Sequence, residues 1–585
     1  MLPAPRNPTP SGGRSGAGVE PLQVVDATRR RAALLAAWAA GVAAVGAVAS
    51  RRRPTTTVPT AAGPGAPTTL PGQPAPSDVV TDPSATAGTA PSPDAVATVA
   101  PTPNLGFAPA DIPLVPLTGD ALAAHVGRRL SWGLTPQLLD EVRAVGPDAW
   151  IEQQLQPAAI ADPDCDALLG QLTELNWGAA DFERNVYYND RAIQDLRLAL
   201  AVRAIRSRRH LLEIVVDLWH DRLTTSQNKG HTSIHITRYD RDVIRPNALG
   251  RYADLVRAAT LSGAMLEYLD NATSTAEHPN ENHARELLEL HTVGRDGGYT
   301  QDDVVGLSHV LSGWTLDGNR EPVFDPSRHN ASPASVLGWS TGGTSGSAAA
   351  QEIGAVIEHL AAQPATARRV AELLARRFVA DDPPGDVVDR GAQAYLANGG
   401  DIASTLRAIF ATDAFRAGIP IVRRPLDLIA AMLRVVNADV ATRGEPGRLL
   451  QPADPPYAAW SFLDVMVGLG HAPFNAPNPA GFRIKGASWL NGGTLLERWY
   501  AASFVSVGSM QGFSYDIRAL VGDAATAGAA VDALAYRCFV QPASAVTRAG
   551  ALTASRHADG DTGLSDYELQ LALGFLLAAP ELQVR

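Results

Sequence analysis

The 585-residue chain is about four times the length of a typical domain, and 45% hydrophobic with 19% charged residues is the balance of a globular protein with a sizeable core. A net charge of -11, with Lys229 and Lys485 the only lysines among 49 basic residues, argues against a nucleic-acid or acidic-surface binder. Cys165 and Cys538 are the only cysteines, which excludes a disulfide scaffold, a zinc ribbon and an iron–sulfur site.

The first 110 residues hold only Trp38 and Phe107 of the chain's aromatic side chains, so no core can form there. Residues 1–28 read as a disordered tail. Arg29-Arg30-Arg31 and Arg51-Arg52-Arg53 then flank an uncharged, mostly Ala and Gly run from Ala32 to Ser50. As a helix this run spans roughly 28 Å, just enough for a bilayer core. Segment 29–53 is therefore expected to be a signal peptide, with Ala47-Val48-Ala49 as its cleavage pattern, or a membrane anchor, which the three arginines after Ser50 favour. Either way the bulk of the protein is expected outside the cytoplasm, secreted or tethered to a membrane. Residues 54–110, with 13 prolines among Thr, Ala, Gly and Ser, predict a disordered linker.

From residue 111 onward the pattern is helical. Thr135-Pro136 reads as the N-cap and first residue of a helix through Val145 that Gly146 ends. Further helices are predicted over 180–206, 208–222, 250–260, 280–292, 300–314, 365–379, 401–411, 425–437 and 565–579. Alternating β-branched runs are scarce, Thr232 to Thr237 being a candidate strand. The expected fold is all-α, a large multi-helix bundle-like core over 111–585. Its length predicts two helical subdomains, with the Gly/Ser-rich segment 337–348 as the internal hinge.

The densest stretch is His278-Pro279-Asn280-Glu281-Asn282-His283-Ala284-Arg285-Glu286-Leu287-Leu288-Glu289-Leu290-His291-Thr292-Val293-Gly294. On a helix, Glu281, Asn282, Arg285, Glu286 and Glu289 share one face and the leucines the other. Asp296-Gly297-Gly298 then turns the chain, and Thr300-x-x-Asp303 predicts a capping box for the next helix.

Together with Gly297-Gly298-Tyr299-Thr300-Gln301-Asp302-Asp303 and Leu311-Ser312-Gly313-Trp314-Thr315, this stretch resembles the signature of the bacterial DUF1800 family. Other landmarks follow in order over about 119–585, among them Leu218-Trp219-His220, Ile244-Arg245-Pro246-Asn247, Arg328-His329-Asn330 and Arg424-Pro425. The chain departs from the family pattern at His283, where an aromatic is usual. The resemblance brings no established activity; it implies association with exported proteins of the DUF1501 family as partners.

Two readings of the polar face stay open. Glu286, Arg285 and Glu289 could form a catalytic centre, and the three-residue spacing of Glu286 and Glu289 suits a divalent metal completed by His220 and His329, with Asp221 and His309 as further candidates. Equally, Glu281, Arg285 and Glu289 could form an i, i+4 salt-bridge ladder with His291 packed at the helix end. The basic cluster Arg203, Arg206, Arg208, Arg209 and His210 reads as a solvated helix face, and Trp219 and Trp314 as buried packing. No nucleophile elbow, phosphate-binding loop or HExxH pair is present. The chain is thus expected to be either an envelope enzyme with a polar, metal-assisted site or a non-catalytic helical envelope protein that binds a partner or ligand.

Overall fold

The computed structural model describes residues 114–184, 189–442 and 457–585; the tail, the 29–53 segment and the 54–110 linker lie outside them. Among the described residues no helix is long and apolar enough to cross a membrane. The fold is all-α; the β-strands among the described residues form three two-stranded antiparallel pairs, beside a few isolated bridges.

Capping residues set the helix ends where the sequence places them. In α1 (Pro136–Val145), Thr135 accepts from the Leu138 N–H, and Gly146 stops the helix at φ +89°. Helices α2 (Asn189–Arg206) and α3 (His210–Arg222) follow. The dense polar motif forms α4 (Glu281–Glu286), which continues as a π-helical turn, Leu287–His291. The next helix, α5 (Gln301–Leu311), opens with the expected Thr300 and Asp303 capping box.

The residues from 114 to the C-terminus belong to one compact unit, and its principal hydrophobic cluster runs from Leu122 to Leu582. The cluster does not break at 337–348, where a hinge between two subdomains is expected. Instead, after the hairpin of β1 (Trp314–Leu316) and β2 (Pro322–Phe324), strands β3 (Ala334–Val336) and β4 (Trp339–Thr341) pair through a two-residue turn. Leu337 and Gly338 both have positive φ there, the geometry that matches strand twist. β3 lies against α5 so closely that a Cβ on Gly306 would stand 2.4 Å from the Ser335 carbonyl.

The second half adds α6 (Pro364–Phe378) and α7 (Pro425–Val435), then the short pair β5 (Asp439–Val440) and β6 (Phe513–Ser514). A C-terminal group follows in which α8 (Gly492–Ser506), α9 (Ala527–Phe539) and α10 (Ala545–Ser555) pack around α11 (Asp566–Ala578). Every residue of α7 is buried, including Asp427 and Arg434, so the central helix carries charge into the core.

Thr232 to Thr237, expected as a strand, forms a 3-10 turn, Thr232–Ile234, and a helical turn, Ile236–Arg238. Thr232, Ile234, Ile236 and Thr237 are all buried, so the side chains do not divide into a buried and an exposed face. Hydrogen bonds such as Tyr239 N–H to His235 O close the backbone locally. Cys165 and Cys538 are both buried free thiols.

Candidate functional site

The α4 face separates into surface pairings. Arg285 meets Glu281 at 3.4 Å and donates to Gln301 Oε1 at 2.9 Å. Glu289 accepts instead from the Tyr299 hydroxyl at 2.5 Å and from Arg295 Nε at 3.2 Å, so the i, i+4 ladder stops after its first rung. Glu286 is half-buried and makes no hydrogen bond or ion pair among the described residues; burial, then Glu289, pushes its carboxyl above the usual range. His329 Nδ1 lies 2.9 Å from Ser312 O, and His220 Nε2 lies 2.9 Å from Asp240 Oδ1. Among the described residues no three His, Cys, Asp or Glu side chains are grouped to hold a metal ion. Glu286, Glu289, His220 and His329 therefore do not form one centre.

The other face of the motif is core. His283 is fully buried with neither ring nitrogen hydrogen-bonded; burial, then His291, pushes it down to about 3. His291 is held at about 3 by burial and then Arg369. A histidine depressed in the fold contributes stability that is complete above its unfolded pKa of about 6.5 and is lost as pH falls from there toward 3. His283→Phe is expected to remove one such proton uptake. Its melting temperature should fall less than the wild type's between pH 7 and pH 5, a difference of about 2 kcal/mol at pH 5. Parallel melting curves over that range would show that His283 is not buried neutral.

The groups that chemistry requires converge elsewhere, at the end of α3. This helix carries Glu213, Asp217, His220 and Asp221 at three- and four-residue spacings, so all four lie near one face. Opposite them the chain forms a second π-helical turn, Tyr239–Ile244. Pro246 has no N–H to return to the Asp242 carbonyl, which suits this widening. In an α-helix, residues five apart diverge by roughly 140°; in a π turn they share a side. Asp240 and Arg245 accordingly meet, Nε to Oδ2, at 2.8 Å. Arg245 also donates both terminal nitrogens to Glu213 at 3.0 Å, and Arg203 lies 3.5 Å from Asp240. Burial would raise the Asp240 carboxyl, but Arg245 and the His220 hydrogen bond outweigh it and hold Asp240 far below the carboxylate range.

Asp217 and Asp221 face Arg424, the residue that precedes α7. Arg424 pairs closely with Asp221 through Nη2, and its Nη1 stands 3.5 Å from Asp217 Oδ2. Neither Nη1 nor Oδ2 has a hydrogen-bond partner. The two carboxylates are pushed apart: burial raises Asp217 against Arg424, whereas Arg424 and His471 outweigh burial at Asp221 and hold it well down. His471 Nε2 lies 3.9 Å from Asp221 Oδ1.

These groups line a cavity of about 30 Å³ between α2, α3, the π turn and the 471–482 loop. That is room for one or two water molecules. Two aromatic rings close it. Phe474 meets the His220 ring edge-on at 5.0 Å, and Phe482 meets His471 at 4.4 Å. Phe474 has φ +63°, an outlier for a bulky side chain that the fold has to enforce. The loop is fixed to the end of α3: Ser226 bridges Asn475, and Gly481, at φ +75°, lies where a Cβ would be 1.7 Å from the Asp221 carbonyl. Only glycine allows that approach.

Of the cavity residues, the sequence reading picks out His220, Asp221 and Arg203. Arg245 enters only as a family landmark, and Asp217, Asp240 and His471 are missed, although the Glu213, Asp217 and Asp221 spacing on one predicted helix is a usable signal. Arg203 is buried against Asp240, and Arg209 is paired through two hydrogen bonds with Asp166, so the basic cluster is not a solvated face.

The structure thus defines a large all-α protein with a charged, aromatic-walled cavity in its core. A family model described as protein of unknown function (DUF1800) matches residues 125–584, and the chain belongs to that family. No curated protein and no solved structure matches it.

Proposed function

We propose that the protein is an envelope enzyme that carries out general acid–base chemistry in the α3 cavity, a hydrolysis in which water is the attacking group. The observation that carries this reading is the Oδ2 of Asp217, which accepts no hydrogen bond although Arg424 stands 3.5 Å away, in a water-sized cavity that also holds two histidines, each facing an aspartate. In this reading His220, oriented by Asp240, takes a proton from the water whose oxygen bonds to the substrate's electrophilic atom, and Asp217, whose carboxyl burial raises, gives a proton to the group whose bond to that atom breaks. Asp221 and Arg424 support Asp217. Glu286 and Arg285 lie outside this centre.

The test is a panel of chromogenic esters, phosphoesters, glycosides and peptides offered to the purified protein and to two variants. His220→Ala and Asp217→Asn are each expected to lower turnover by about 10²- to 10⁴-fold, and Asp217→Asn to do so with a melting temperature no lower than the wild type's. Turnover equal to the wild type's in both variants would overturn the assignment.

The envelope location rests on the Arg-flanked run from Ala32 to Ser50 and the Pro-rich segment behind it. Residues 1–110 fused to a reporter active only outside the cytoplasm should give activity there. Activity confined to the cytoplasm would sink this part of the reading.

A further inference from the structure

A second cavity lies where the start of α1, the ends of α2 and α7, and α9 come together. Its volume is about 260 Å³, and it is walled by Thr135, Gln137, Ile205, Arg434, Asn437 and Arg537. Two of these six are cationic, two are amides, one is a hydroxyl, and none is acidic. It adjoins a wider cavity of about 570 Å³ that shares Thr135, Gln137, Ile205 and Arg434 and adds Arg206 and Arg208.

Arg434 is a built feature of this wall. It is 9% exposed, and carbonyls alone hold it: Nε donates to Gly133 O at 2.8 Å, and Nη1 to Ile205 O at 2.8 Å and Ala204 O at 3.4 Å. The last two are the orphan carbonyls at the end of α2, whose partial negative charge suits a cation. They fix the guanidinium plane and leave Nη2 without a hydrogen-bond partner among the described residues. Among the described residues no carboxylate pairs with Arg434; burial, then Arg206, brings it down to about 10. Arg537, half-buried across the cavity on α9, has neither a hydrogen bond nor an ion pair among the described residues.

The nearest acids lie in the wider cavity and are largely engaged. Arg206 is within 2.7 Å of Asp439, and Glu141 accepts from the Trp150 indole and stands 3.6 Å from Arg208. Asp164, also in that wall, is exposed and has no ion pair among the described residues.

Two guanidinium groups with no carboxylate partner among the described residues, flanked by amide and hydroxyl donors, match the paired oxygens of a carboxylate or phosphate. We propose that this cavity is an oxyanion-binding site, separate from the α3 cavity. Arg434 serves as its fixed fork and Arg537 as the arm that closes on a carboxylate- or phosphate-bearing ligand.

The full chain is titrated with inorganic phosphate and with citrate by isothermal calorimetry, against sodium chloride at matched ionic strength. At least one of the two should bind saturably above the chloride control. Arg537→Ala, on a half-exposed position, should fold normally and weaken that binding by about tenfold or more. Arg434→Lys keeps the charge but loses the fork and should weaken it similarly. Binding of phosphate alone assigns a phosphoryl ligand, and binding of citrate alone a carboxylate. If neither exceeds the chloride control, or if Arg537→Ala binds as the wild type does, the proposal is overturned.

Discussion

Replacing Asp427 by Asn is expected to cost the protein about 3–5 kcal/mol of stability. Asp427 sits fully buried on α7 and is gripped by Arg377 through two hydrogen bonds of 3.1 and 2.7 Å, with Arg585 at 3.2 Å. Around it Arg423 and Arg498 are buried against main-chain carbonyls of Leu582, Trp132 and Arg423 itself. The guanidinium groups exceed the carboxylates: burial, with their mutual repulsion, brings Arg129 down to about 9 and Arg423 to about 10. One carboxylate therefore serves several cations. Removing it strands charges that were brought into the core together. Burial alone would raise Asp427, but Arg377 and Arg585 outweigh it and hold the carboxyl far below its ordinary value. With the folded pKa depressed, its contribution is complete above the unfolded value of about 3.9 and is lost as pH falls below that. Urea unfolding at pH 7 and pH 2 measures both effects. Asp389→Asn, which breaks the exposed pair with Arg368, is the control and should cost under about 1 kcal/mol. Equal losses in the two variants would show that the buried network is not what stabilises α7.

Much of the helical framework is legible in the sequence because the signals that define it are local. Thr135-Pro136 and Gly146 bound α1, and Thr300 with Asp303 opens α5, where the sequence places them. The cavity is not legible in this way, because its geometry depends on two things a linear reading lacks. One is backbone irregularity: the π turn that brings Asp240 and Arg245 together has no periodicity of its own, and Pro246 is its only local mark. The other is distance along the chain. Arg424 reaches Asp221 across 203 residues, and neither residue's neighbours announce the other. The polar face of α4 misleads for the converse reason. Its density of charged groups is plain in the sequence, and the i, i+4 spacing gives the Glu281–Arg285 pair, but the sequence does not reveal that Gln301 also takes Arg285 or that Tyr299 and Arg295 take Glu289. Landmarks quoted for the family resemblance fare better: His220, Arg245 and Arg424 all stand at or beside the cavity.

The two aspartates that share Arg424 should respond to the same substitution in opposite ways. Asp221→Asn removes the carboxylate that neutralises Arg424 in the core and should cost about 3–5 kcal/mol. Asp217→Asn should leave the melting temperature at pH 7 unchanged or higher. Burial raises the Asp217 carboxyl, and Arg424 offsets this only in part. For an acid whose folded pKa is raised, stability is present below the unfolded value of about 3.9 and lost as pH rises through the folded one. Holding this carboxyl in the core is thus a burden that grows as pH rises, and its Oδ2 makes no hydrogen bond among the described residues that an amide would forfeit. A side chain that destabilises the fold yet remains in a buried, rigidly walled cavity is the pattern expected where function opposes stability. The decisive comparison is thermal: if Asp217→Asn melts as far below the wild type as Asp221→Asn does, Asp217 is a structural counter-ion to Arg424, and the proposed centre has lost its acid.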